Sequence, residues 1–230
     1  MHFIRKIRSL SKFERGLWLF SLAGVTLSSV LSPVFDLLSL TASLIGVTAL
    51  IFVAKGDPLG QVLTVVFSVF YGGISWTFRY YGEMITYLGM SAPMAALAVV
   101  SWLRNPYEQG KAEVRVNRLK LPEICLLAVL TVAVTVLFYF ILAFFGTANL
   151  LPSTISVTTS FLASYLTFRR SPFYALAYAA NDVVLIVLWV LASMEDPSYF
   201  PMILCFAMFF LNDTYGFVNW QRMQKRQGKE

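Results

Sequence analysis

Apolar residues in this chain neither alternate strand-fashion nor mark one face of a surface helix; they form long runs broken by Pro, Gly or charge. Eight runs, at about 16–32, 36–54, 60–80, 84–103, 122–146, 151–168, 173–193 and 198–220, predict eight membrane-crossing helices, since a bilayer core takes roughly 20 apolar residues per helix. Ser32-Pro33, with Asp36 just beyond, predicts a turn after the first and shortest run.

Polar residues inside the runs keep helical spacing, so several helices each present one polar stripe. One stripe holds Gln61, Thr64, Ser68, Tyr71 and Ser75, and a second Ser153, Ser156, Ser160 and Thr167. A third aligns Tyr174, Tyr178, Asp182 and Trp189 with Asn181 at its margin, and a fourth Asn212, Tyr215, Gly216 and Asn219. Asp213 sits about 100° round the helix from Asn212. The Ser and Thr positions read as helix-to-helix glue, whereas buried amides and carboxylates are costly in hydrocarbon and mark a solute path.

Composition agrees with the pattern. At 230 residues, 58% hydrophobic, mean hydropathy +0.69 and 13% charged, against about 25% charged in soluble domains, the chain reads as an all-α polytopic membrane protein with no room for a soluble catalytic domain. If all eight runs span, every Lys and Arg except Arg79 falls on one side, which the positive-inside rule makes cytoplasmic, with both termini there. The basic N-terminus, Arg5 to Arg15, lacks a small-residue cleavage site and reads as retained. Cys125 and Cys205 read as packing residues.

An internal repeat organises the runs. Lys55-Gly56-Asp57-Pro58 matches Arg169-Arg170-Ser171-Pro172, and Ser101-Trp102-Leu103-Arg104 matches Asn219-Trp220-Gln221-Arg222. Two parallel three-helix bundles therefore flank one linker helix, an odd span that restores orientation. The organisation expected is 1–35, basic N-terminus and additional helix; 36–104, first repeat; 105–121, cytoplasmic loop; 122–148, linker helix; 149–222, second repeat; and 223–230, basic cytoplasmic tail. The charged loop reads as a solvated linker, with docking of a cytoplasmic partner as the functional alternative. Trp18, Trp102 and Trp220 read as interfacial anchors, while for Trp76 and Trp189 belt anchoring competes with stacking on a solute.

The chemistry of the stripes suits a neutral or weakly cationic solute with a flat ring and hydroxyls: amides satisfy an amide or ribose, Tyr and Trp rings stack, and Asp182 or Asp213 attracts positive charge. Catalysis lacks its usual residues, since the sole histidine is His2 and no metal spacing, nucleophile elbow or phosphate loop occurs. Nothing in the residues calls for a cofactor, a metal or nucleic acid.

Leu211-Asn212-Asp213-Thr214-Tyr215-Gly216-Phe217-Val218-Asn219-Trp220, Ile85-Thr86-Tyr87-Leu88-Gly89-Met90 and Ser101-Trp102-Leu103-Arg104-Asn105-Pro106-Tyr107 resemble the PnuC-type nicotinamide riboside transporters of bacteria, over about 36 to 222. The resemblance implies a 3+1+3 arrangement like that of the sugar transporters called SWEETs, a homotrimer in the bacterial cytoplasmic membrane, and facilitated diffusion of a vitamin nucleoside trapped by a cytosolic kinase. Relatives of such transporters are assigned thiamine, riboflavin or deoxynucleosides, so nicotinamide riboside is the default. The stripes, not the resemblance, suggest solute contacts at Gln61, Tyr71, Tyr87, Asn181, Asp182, Trp189, Asn212, Tyr215 and Asn219. Asp182 and Asp213 also raise proton coupling as an alternative, and an intramembrane enzyme or vitamin sensor is the reading from another class.

Overall fold

The computed structural model describes residues 2–32, 35–77, 84–147 and 149–228. Pro33 and Arg79, invoked above for a turn and for the one basic residue on the outer side, lie outside them. After a short helix α1, His2–Arg8, each of the eight apolar runs is helical: α2 Lys12–Leu31, α3 Leu37–Ala54, α4 Pro58–Thr77, α5 Thr86–Leu103, α6 Leu121–Phe144, α7 Leu150–Phe168, α8 Tyr174–Glu195 and α9 Phe200–Gln227. Among the described residues there is no strand, only an isolated bridge between Pro106 and Val114. The last helix runs on past 220 to Gln227.

Six of these, α3, α4, α5, α6, α8 and α9, are long and apolar enough to cross a membrane. The sequence pattern predicts eight. The other two are diluted by polar residues: α2 opens with Lys12, Glu14 and Arg15, and α7 is rich in Ser and Thr.

Local chemistry sets the helix ends. Ser11 and Glu14 form a capping box, Ser11 Oγ accepting the Glu14 N–H at 3.2 Å and Glu14 Oε2 the Ser11 N–H at 2.6 Å. Asp36 caps α3 through the Leu38 and Ser39 N–H groups. Beyond α3, Gly56 takes the left-handed conformation, φ 70°, and the chain turns at once into Pro58. Gly60 lets α4 lie directly on α3, for a Cβ there would fall 2.4 Å from the Val53 nitrogen.

The helices close a ring. α3 packs on α4, α4 on α5, α5 on α7, α7 on α8, α8 on α9, and α9 back on α3, while α6 lies outside along α7 and α2 outside against α3 and α9. Lipid tails are as apolar as Leu, so the ring is held by close packing and by hydrogen bonds between helices.

Two tryptophans supply the bonds at its seams. Trp102, ending α5, donates its indole N–H to Thr167 O of α7 at 2.9 Å, and Trp220, on α9, donates to Val53 O of α3 at 2.9 Å. Beside them Ser101 Oγ donates to Phe168 O and Asn219 Nδ2 to Ala54 O, both at 2.9 Å. The two indoles meet, ring centroids 5.3 Å apart, at 1% and 0% exposure. The expectation that these tryptophans anchor the protein at the membrane surface is thus corrected: both are core. Trp18 also turns inward, its Nε1 donating to Thr48 Oγ1.

The 104–121 loop, exposed over most of its length, is more than a linker. Its Val114 N–H bonds Gly56 O at 3.0 Å and its Asn117 N–H bonds Arg170 O at 2.9 Å, so it straps both repeat corners. Val114 is wholly buried, and Gln227, at the end of α9, accepts the Val116 N–H and donates to Glu113 and Val114 O. Arg226 pairs with Glu113 there.

Trp220→Phe leaves the Val53 carbonyl without its donor while keeping most of the ring, and should cost about 1–3 kcal/mol. Trp102→Phe should cost the same at Thr167. Because the rings touch, the double variant should be non-additive; thermal unfolding in detergent measures all three.

Candidate functional site

The ring's interior is set by which face each helix turns to lipid. On α8, Leu176, Val183, Val187 and Val190 are exposed, which points Tyr174, Tyr178, Asn181, Asp182 and Leu185 inward. On α4, Val62, Val66, Val69 and Trp76 are exposed, which points Gln61, Ser68 and Ser75 inward, all three buried, with half-buried Tyr71 on the same stripe. Since α4 and α8 stand opposite each other in the ring, these two polar stripes face across it.

From the basic end, the first layer is Trp102, Trp220 and Tyr174, the last two with centroids 4.9 Å apart. Next comes a polar layer. Tyr178 shares a hydrogen bond with Ser164 of α7 at 3.1 Å, and Asn181 Oδ1 accepts from Ser156 at 3.2 Å and Thr159 at 2.8 Å. Asp182 of α8 and Asp213 of α9 are within hydrogen-bonding reach of one another and 3% and 4% exposed. Two carboxyl groups so placed attract only while they hold a proton between them. Asp182 Oδ2 and the Tyr174 hydroxyl are buried with no partner among the described residues.

Further along lies an aromatic cluster. Tyr71 and Tyr87 rings are 4.5 Å apart, and Phe67 touches Tyr71, Tyr87 and Phe209 at 5.6, 5.9 and 6.1 Å. Tyr87 is carried by a π-helical turn, Thr86–Ser91, that opens α5; such turns re-aim side chains and gather at functional sites. At the end away from the basic residues a cavity of about 330 Å³ opens between α2, α3, α4, α8 and α9. Tyr71, Ser75, Trp189, Tyr199 and Cys205 line it, and Trp189 and Tyr199 rings stand 5.6 Å apart.

The nine residues singled out from the stripes divide into two groups. Tyr71, Tyr87, Asn181, Asp182 and Trp189 surround the interior described above, with Gln61 nearer the basic end of the same α4 face. Asn212, Tyr215 and Asn219 turn the other way. Asn212 Nδ2 donates to Ser21 Oγ of α2 at 2.9 Å and to Met208 O at 2.8 Å, the Tyr215 hydroxyl donates to Glu14 Oε1 at 3.0 Å, and Asn219 holds Ala54 O. That stripe fastens α2 and α3 to α9, and Asp213, one residue round, is the α9 carboxylate that reaches α8. Because α9 is covered on two sides, periodicity alone gives its polar face but not which neighbour that face meets. Tyr199 and Ser43, which lines the cavity beside Cys205, carry no sequence signal of their own, lying off the stripes.

Comparison with known proteins decides the family. The sequence model of the nicotinamide mononucleotide transporter family matches residues 36–222. The chain belongs to that family. Its members are transporters, and this chain is a membrane transporter, not an enzyme. Two relatives named nicotinamide riboside transporter PnuC are similar to it. The one from Neisseria mucosa is 24% identical over 96% of this chain and 89% of its own length, and the one from Haemophilus influenzae 24% identical over 82% and 81%. The crystal structure of the vitamin B3 transporter PnuC has the same fold, with a TM-score of 0.81 at 23% identity over 95% of this chain and 94% of that one.

Asp213→Asn keeps a hydrogen bond to Asp182 and should leave the thermal midpoint nearly unchanged. Asp213→Ala strands the Asp182 carboxyl in the core and should cost about 1–3 kcal/mol, read as a lower unfolding midpoint in detergent.

Proposed function

We propose that this chain carries nicotinamide riboside across the bacterial cytoplasmic membrane by facilitated diffusion, with net uptake secured by a cytosolic kinase that phosphorylates the arriving nucleoside. The observation that supports the solute best is its relation to two nicotinamide riboside transporters that align over most of its length. The interior suits that solute: Tyr71, Tyr87 and Trp189 offer flat rings for a pyridinium, Asn181 an amide for the carboxamide or ribose, and the Asp182–Asp213 pair a counter-charge for the cationic ring. We place the solute between these residues and Gln61, and assign Asn212, Tyr215 and Asn219 to holding the ring.

In the same reading α3–α5 and α7–α9 are two parallel bundles in the SWEET manner, joined by α6 and preceded by α2, with both termini cytoplasmic and three copies per assembly. The matched corners at Gly56 and Arg170 and the matched tryptophans support the repeat. With the basic end strapped and the cavity at the opposite end, the bundles rock against each other about the solute.

A second reading, coupling to protons, is favoured by the buried carboxyl pair. Proteoliposomes distinguish the two. Labelled nicotinamide riboside should enter until inside and outside levels match, unaffected by a pH gradient, and Asp182→Ala should lower uptake at least tenfold. Accumulation above the outside level, driven by a pH gradient and lost in Asp213→Asn, would replace diffusion with coupling. Competition by unlabelled thiamine, riboflavin or deoxynucleoside stronger than by nicotinamide riboside would reassign the solute.

A further inference from the structure

The two corners make the same turn, but charge is balanced at the first and in positive excess at the second. At the first, Gly56 O accepts from the strap, Asp57 Oδ1 accepts the Leu59 N–H at 2.9 Å, and Asp57 pairs with Lys6. Lys55 there lies 3.4 Å from Glu14. At the second, Arg170 O accepts from the strap, and Ser171 Oγ accepts the Phe173 N–H at 3.4 Å. Ser171 thus holds the turn as Asp57 does, without the carboxylate, while two guanidinium groups replace Lys55 and Gly56.

Four donor nitrogens are left over at that second corner. Nε and Nη1 of Arg170, Nε of Arg169 and Nδ2 of Asn117 are buried, and no described residue accepts from them. They come from one corner, for Arg169 and Arg170 are neighbours in the turn and the Asn117 backbone N–H is bonded to Arg170 O. The one carboxylate nearby, Glu123, is engaged by Arg169 Nη2. Burial first, then the positive charges of Arg169 and Arg115, push the Arg170 guanidinium below its ordinary range, so three cations meet here beside the single carboxylate of Glu123. Buried donors without acceptors are rare and costly. A metal ion or a neutral donor ligand fits none of them, whereas an oxyanion supplies the acceptor oxygens they lack, and guanidinium forks match phosphate in geometry.

We propose that this corner binds a phosphate-type oxyanion between Arg170 and Asn117, with Arg115 of the strap closing on it, in the role that the Asp57 carboxylate plays at the first corner. The phosphate belongs either to a soluble anion or to an anionic lipid headgroup at the basic end of the ring. Bound there, it ties the strap to the α7–α8 corner, so that the anion level sets how firmly the basic end is clamped. The site is remote from Asp182 and Asp213, and its occupancy does not depend on the solute carried.

The test uses the full chain, purified in neutral detergent or in nanodiscs. Inorganic phosphate, against chloride at equal ionic strength, or phosphatidylglycerol, against phosphatidylcholine alone, should raise the wild-type melting midpoint by about 3 °C. A response to free phosphate assigns the soluble source, and a response to phosphatidylglycerol alone assigns the headgroup. Arg170→Gly, which copies Gly56 and relaxes the positive φ, should abolish the response. Ser171→Asp, which copies Asp57, should abolish it too, while melting higher than the wild type without anion. Lys225→Ala, removing a cation elsewhere at the same end, should keep it. No response of the wild type to either probe, an undiminished response in Arg170→Gly, or an equal loss in Lys225→Ala would overturn the site.

Discussion

The ring depends on an exchange of indole hydrogen bonds. In a bilayer no hydrophobic drive holds one helix to another, and a six-helix ring has two seams where its halves meet. Each seam is closed by a tryptophan from the last helix of one half reaching a carbonyl near the end of the first helix of the other, and the two rings then meet at a tilt of 50°. The helix ends beside that exchange are bonded likewise: Ala54 and Phe168 take their bonds from Asn219 and Ser101, and the strap lies across the corners that follow.

The arrangement separates duties along the axis. The basic end is knit by paired bonds and charged residues, the middle holds carboxyl, amide and phenol groups that hydrocarbon would not tolerate without function, and the far end opens into a cavity edged by Trp189 and Tyr199. The outer faces, with Val129, Val132, Phe140 and Phe144 of α6 exposed, suit lipid.

Much of this was legible in the residues. The helices were, because long apolar runs closed by Pro and Gly have few other solutions, and so was the likeness of two corners, since Lys55-Gly56-Asp57-Pro58 and Arg169-Arg170-Ser171-Pro172 make the same turn. The inward face of α4 was legible because no helix among the described residues lies over its outer face, where Val62, Val66 and Val69 are exposed. On α9 the same reasoning stopped short: with helices on two sides, Asn212, Tyr215 and Asn219 look like a path lining yet bind α2 and α3. Trp102 and Trp220 read as surface anchors because position along a helix says nothing of depth within a bundle. The strap hid in a charged stretch, although Val114, Val116 and Leu119 among its charges were a sign of burial, as their packing in the core now explains.

One loop serving two corners has a further meaning. Gly56 and Arg170 make matching turns and Trp102 and Trp220 matching bonds, but the strap has no such counterpart, because the chain has a single 104–121 segment. The similar halves are therefore permanently distinguishable: one corner meets Val114 in a greasy contact, the other meets Asn117 beside unmatched positive charge. Matched positions such as Gly56 and Arg170 therefore answer to different neighbours, and the same substitution made at each has a different consequence.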